Sequence, residues 1–349
     1  MARQFRLDAE GPRGRDFTIK MAWMPDRKRA FFCGANHGSP HRLNDAWEYD
    51  LPSNTWLLLY DPDYNDANRL TNLPAAGVAL KDGILITANG GPVHVAHTWW
   101  GLTYDPDLKA ALWICIWPPY GMPEKLEHVK ADASQLYQGP PLWAFFPAER
   151  KWRPILSQQP YPKRVGLAGS LEYIPELRGS LWYHRNDGTW LFDSRTSGWR
   201  NLEPEMNGLT AIGWIENVMC YDAKNNVLIA HRGNDEGDER LLDKRTYHYD
   251  VAANAWTKVI EKRDGPVGHD ARTLFNYDPV GEVGLLFERQ RRKLWAYSVT
   301  GRQWTELTPQ GAAIPAWRRA IGYLDPARNV LVVNQGKQTW VYRYKRSAD

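Results

Sequence analysis

Apolar and aromatic residues run in short bursts along this chain, alternating with polar ones over five or six positions. Each burst ends in a cluster of Asp, Asn, Gly, Pro or Ser, a pattern that predicts short strands and tight turns. One spacing recurs: an aromatic, a second aromatic two residues on, and a Trp nine after the first. It occurs at Trp47, Tyr49 and Trp56; Trp143, Phe145 and Trp152; Trp190, Phe192 and Trp199; Tyr247, Tyr249 and Trp256; and Trp295, Tyr297 and Trp304. Trp340 and Tyr342 begin a sixth instance. Aromatics two apart share one face of a strand and the polar residues after them suit a turn, so each instance predicts a hairpin. A second hairpin precedes it, marked by turn segments such as MPDRKR, YDPDLKA, YDAKNN, YDPVGE and LDPARN between apolar runs.

Two hairpins make a four-stranded sheet that cannot cover both its faces alone, and such sheets stack radially. The expected fold is therefore all-β: one six-bladed β-propeller of four-stranded blades spanning 1–349. The blades are expected near 17–59, 97–156, 164–202, 210–259, 269–307 and 317–345, with long insertions at 60–96 and 118–139. The last repeat lacks an outer strand, and residues 3–7 are expected to supply it, closing the ring and hiding two edges.

Composition agrees with this pattern, since 18 Trp, 17 Tyr, 28 Gly and 24 Pro favour strands and turns. The 44 basic and 40 acidic residues are dispersed without a long basic run, so nucleic acid is not an expected partner. Cys33, Cys115 and Cys220 fall in strand-like runs and predict buried free thiols. No apolar run approaches the roughly 20 residues of a membrane span, and the first residues lack a secretory core. A soluble monomer is expected, cytoplasmic as the chain stands or secreted or periplasmic if a leader preceded it.

The unit of aromatic strand, turn and Trp strand resembles the kelch repeat over nearly the whole chain. The paired glycines of that family are largely replaced, by CysGlyAlaAsn at 33–36 and HisArgAsnAsp at 184–187. The resemblance implies a propeller, a scaffold used by protein-binding modules, sugar oxidases, sugar mutarotases and, among related propellers, polysaccharide lyases.

With the strands of a blade labelled a to d from the channel outward, the b–c and d–a connections emerge on one face, and the short, bland a–b and c–d turns on the other. Eight of the nine histidines fall on the first face: His37, His41, His94, His97, His128, His184, His231 and His269; His248 lies on a c strand. Reactive groups collected on loops over a rigid scaffold predict a cleft there. A histidine pair beside arginine could abstract a proton alpha to a carboxylate. His97, which shares GGPVHVAHTWW (90–100) with His94, leads, acting with a second His or Tyr as base and acid; His94, His231 and Tyr137 are the candidates for that second group. Arg185, Arg232, Arg272 and Arg319 would hold a planar anion, and Trp99, Trp214 and Trp317 would stack on sugar rings. His37, His41, His184 and His269 complete the expected substrate-binding set. No compact metal-ligand spacing occurs, and no cofactor is expected. The cysteines lie within strands rather than beside a channel Tyr, as copper-radical chemistry would need. The leading expectation is a lyase that cleaves an acidic, uronate-containing polysaccharide by β-elimination. The alternatives are a noncatalytic kelch-like module for an acidic protein or glycan, and a sugar isomerase or mutarotase.

Overall fold

The recurring aromatic spacing is a cross-strand pair. In each of five blades the second aromatic and the Trp seven residues later lie opposite each other on adjacent antiparallel strands: Tyr49 and Trp56, Phe145 and Trp152, Phe192 and Trp199, Tyr249 and Trp256, Tyr297 and Trp304. Their ring centroids are 4.8–5.4 Å apart, within the range where tilted aromatic pairs attract. The structure, a computed structural model, describes residues 1–12, 15, 18–34, 42–67, 72–114, 122–163, 165, 169–185, 187–212, 217–232, 245–260, 265–266, 273–289, 291–316 and 319–345.

A short helix, α1 (Leu7–Glu10), precedes blade one, which comprises β1 (Ala22–Met24), β2 (Arg29–Phe32), β3 (Ala46–Asp50) and β4 (Thr55–Tyr60). A hairpin of β5 (Ala79–Lys81) and β6 (Ile84–Ile86) follows. Blade two is β7 (Leu102–Asp105), β8 (Ala110–Trp113), β9 (Leu142–Phe146) and β10 (Lys151–Ile155), with α2 (Met122–His128) between β8 and β9. Blade three is β11 (Ser170–Ile174), β12 (Gly179–His184), β13 (Gly188–Asp193) and β14 (Gly198–Asn201). Blade four is β15 (Asn217–Asp222), β16 (Val227–Arg232), β17 (Thr246–Asp250) and β18 (Ala255–Ile260). Blade five is β19 (Thr273–Asp278), β20 (Val283–Glu288), β21 (Lys293–Ser298) and β22 (Gln303–Leu307). Blade six shows β23 (Ile321–Asp325), β24 (Val330–Gln335) and β25 (Gln338–Tyr342). No helix among the described residues is long and apolar enough to cross a membrane.

The innermost strands β1, β7, β11, β15, β19 and β23 touch in succession, and β23 touches β1, so the six blades form a closed propeller. Main-chain bonds join blades one and six at the channel, from Met21 N to Gly322 O and from Gly322 N to Ile19 O, each 2.9 Å. Residues 3–7, expected as an outer strand of blade six, instead form turns leading into α1, with Leu7 N bonded to Ala2 O and Gly11 N to Leu7 O. These local bonds satisfy the backbone without a ladder, and the segment seals the seam with side chains: Leu7, 1% exposed, packs among Trp47, Tyr323 and Val332. Further out, Tyr49 Oη and Thr339 Oγ1 meet at 2.9 Å between blades one and six.

The core lies between blades, and the a–b turns stitch the seams. An Asp closing an inner strand caps its own turn: Asp105, Asp222 and Asp278 each accept from two following backbone N–H groups at 2.9–3.1 Å. The penultimate residue of an inner strand often reaches back to the preceding blade. Tyr104 donates to Asp26 at 2.6 Å, Tyr173 to Asp107 at 3.0 Å, and Tyr221 to Glu176.

Candidate functional site

The two insertions fold on each other over the seam of blades one and two. In α2 and the turn after it, Met122, Leu126 and Val129 line one face, and Lys125 stands on that face too. It packs on Tyr64, Leu73, Leu85 and Val93 of the first insertion. Lys125, only 2% exposed, is carried inside, where its ammonium bonds Asp66 Oδ1. Around the same carboxylate stand Tyr64 Oη, 3.3 Å from Oδ1, Arg42 Nη2, 3.3 Å from Oδ2, and His94 Nδ1, 3.8 Å from Oδ2. Arg42 is held by donation from Nε to Val95 O at 3.1 Å and from its backbone N to Asn65 Oδ1 at 3.2 Å. Among the described residues, one buried carboxylate thus faces the Lys125 ammonium, the Arg42 guanidinium and an imidazole. The surplus of positive charge, with Arg42 its most exposed member, suits an incoming carboxylate or sulfate.

Three residues beyond His94, the His97 ring meets Trp99 edge to face with centroids 4.6 Å apart, both side chains buried. Blade one approaches this strand through Gly34, whose φ is +102°; a β-carbon there would lie 1.9 Å from Thr98 Oγ1, so the contact requires glycine. Beside it the buried Arg15 guanidinium donates to Asp45 Oδ2 at 2.5 Å, and Trp47 Nε1 donates to the same oxygen at 2.6 Å.

Among the described residues, two ties cross the central channel. Trp100 Nε1 of blade two donates to Thr273 O of blade five at 2.8 Å. Lys20 Nζ of blade one donates to Leu171 O at 2.8 Å and Glu172 Oε1 at 2.5 Å in blade three. Burial pushes the Glu172 carboxyl up while Lys20 draws it down, leaving it above the usual carboxylate range.

The expected site residues divide. His94, His97 and Trp99 stand along the link into blade two, where the cluster around Asp66 also lies. Tyr137 sits at the outer edge of blade two, donating to Ser157 O at 2.6 Å beside Tyr161, and burial raises its hydroxyl to about 12. His231 is fully buried in blade four, with Nδ1 3.1 Å from Thr246 Oγ1 and Nε2 2.9 Å from Pro266 O. A carbonyl only accepts, so Nε2 carries the proton and both nitrogens are engaged in holding structure. His184 closes β12 and Arg185 follows it, both half-buried. Arg319 is exposed, its backbone N bonded to Gln335 Oε1 at 2.9 Å. Arg232 ends β16, and its side chain lies outside the described residues, as do His37, His41, Trp214, His269, Arg272 and Trp317.

Asp66, Lys125 and Arg42 belong to no motif and were not among the expected site residues. One signal for them existed: a lysine on the apolar face of a short amphipathic helix needs a buried partner.

No protein-family model and no curated protein matches the chain. Among solved structures it is similar to the GH74 xyloglucanase of Xanthomonas campestris, with a TM-score of 0.51 and 14% identity over 95% of this chain and 52% of that one. The chain thus spans about half the length of that enzyme. It also aligns with an auxiliary nutrient binding protein from Bacteroides thetaiotaomicron, with a TM-score of 0.35 and 12% identity over 51% of this chain and 39% of that one. The likeness to the xyloglucanase is one of fold alone, and the strand topology defines the class, the six-bladed β-propeller.

Proposed function

We propose that this propeller is a carbohydrate-active protein that engages an acidic, uronate-containing polysaccharide on the face carrying the b–c and d–a connections, and cleaves it by β-elimination. The observation that supports this reading most is the charge balance at the seam of blades one and two, where among the described residues one carboxylate, Asp66, pairs with both Lys125 and Arg42, with His94 alongside. A uronate carboxylate set against Arg42 would complete that balance and acidify the proton alpha to it. In the reaction a base, His97 in this reading, takes the C5 proton, the electron pair forms the C4–C5 double bond, and the C4–O bond breaks. The departing oxygen takes a proton from the acid, His94. Trp99 would offer its ring to the sugar.

Noncatalytic binding of the same ligand class is the second reading. It is favoured by His231 and Tyr137, whose hydrogen bonds are committed to the scaffold. Incubation with pectate, alginate, chondroitin sulfate and heparin separates the two readings, because elimination creates an unsaturated uronate that absorbs in the ultraviolet. The expected outcome is rising absorbance with at least one polymer, lost in His97→Ala while binding persists, and binding weakened about tenfold in Arg42→Ala, the scale of one charge-assisted contact. Binding to one of these polymers without absorbance would favour the noncatalytic module. No binding to any of them would reject the acidic-glycan reading.

A further inference from the structure

The opposite face carries a second candidate site. The penultimate residue of each inner strand stands at the a–b end of the channel: Trp23, Tyr104, Tyr173, Tyr221, Tyr277 and Leu324. All but Tyr104 line one cavity of about 420 Å³, to which five of the six blades contribute, a size within the range of small-ligand pockets. Its wall is thus aromatic on most sides. The hydroxyls of Tyr173 and Tyr221 are spent on acids in the preceding blades, Asp107 and Glu176, which fixes the rings in place. Burial and the neighbouring Asp222 both raise the Tyr277 hydroxyl and keep it protonated.

Lys20 and Glu172, whose ion pair crosses the channel, belong to the polar part of the lining, and with the Trp100 tie they obstruct passage through the propeller. Lys20 gives two of its three N–H groups to Leu171 O and Glu172 Oε1, leaving one donor, and Glu172 retains Oε2 as an acceptor. Asn276 adds a third polar group, and its buried Nδ2 has no hydrogen-bond partner among the described residues. Among the described residues the charges of the lining are therefore paired, and donors and an acceptor share it with aromatic walls.

We infer that this cavity binds a neutral mono- or disaccharide. A pyranose ring offers apolar C–H faces to aromatic planes and adjacent hydroxyls that both donate and accept, which matches walls and polar lining together. The paired charges give no net attraction to an anion, so the ligand differs in charge from the polymer proposed for the other face.

Saturation-transfer NMR of the full chain with methyl glucoside, methyl galactoside, cellobiose and maltose tests this. At least one is expected to bind, more weakly by fivefold or more in Asn276→Leu, and to lose its signal in Ala223→Trp, which fills the exposed rim of the cavity. Both variants are expected to keep the parent melting temperature, and Arg42→Ala is expected to bind these sugars as the parent does. Absence of binding by all four sugars, or binding unchanged in both cavity variants, would overturn the assignment. Either result leaves the acidic-glycan reading of the other face untouched.

Discussion

Among the described residues, His248 is the one histidine on a c strand, and burial shifts its titration strongly. Burial between blades four and five, where Nε2 lies 2.8 Å from Tyr297 Oη, lowers its pKa from 6.5 to about 4, and the Arg302 charge adds to the effect. The folded protein therefore refuses a proton that the unfolded chain accepts between these values. Stability is unaffected by this residue above about pH 6.5, falls as pH drops toward 4, and levels off below, by about 3 kcal/mol in all. Denaturant midpoints measured from pH 7 to 4 are expected to fall less steeply in His248→Gln. Equal slopes in parent and variant would show that the imidazole does not set this dependence. At this scale the sequence revealed residue types more readily than surroundings. His94, His97 and His231 look alike in a strand-and-loop reading, yet His231 is bonded at both nitrogens whereas His94 lies beside a carboxylate with two cations. What distinguishes them comes from residues far away in the chain, Pro266 for one and Lys125 for the other.

At the scale of the element, the hairpins were legible because their signal is local: two aromatics and a Trp whose spacing is the register of one antiparallel pair. The same spacing predicts unequal energetics once burial is known. Trp256 is fully buried, pairs with Tyr249 at 5.1 Å and donates Nε1 to Thr189 of blade three at 3.0 Å, whereas Trp56 is half-buried near α1. Trp256→Ala is expected to cost about 3–5 kcal/mol and Trp56→Ala markedly less, read as the difference in chemical-denaturation midpoints. The a–b turns were harder to read. They are short, and their sequences look bland. Their tyrosines matter because a repeated position brings the ends of three inner strands against the previous blade, a relation visible only after the ring is assembled. The lysine of α2 was hidden in the same way, since its partner Asp66 lies in the other insertion.

The whole molecule closes differently from what its repeats suggest. Strand count predicts an N-terminal strand on blade six, but the inner strands carry the main-chain closure and α1 caps the seam through Leu7 and its neighbours. Removing residues 1–11 should therefore lower the melting temperature by several degrees while leaving a cooperative transition and the β-sheet circular dichroism intact, because apolar contacts are lost and no ladder is broken. Loss of cooperative unfolding would mean that the segment is part of the ring itself.

The ties made by Trp100 and by Lys20 with Glu172 have a consequence for topology. A bead drilled clean through can be strung on a filament, but this one has side chains barred across its bore. On the reading proposed above, an acidic polymer would lie over the disc like a belt on a pulley, and elimination would cut it in mid-chain rather than by processive sliding through the hub.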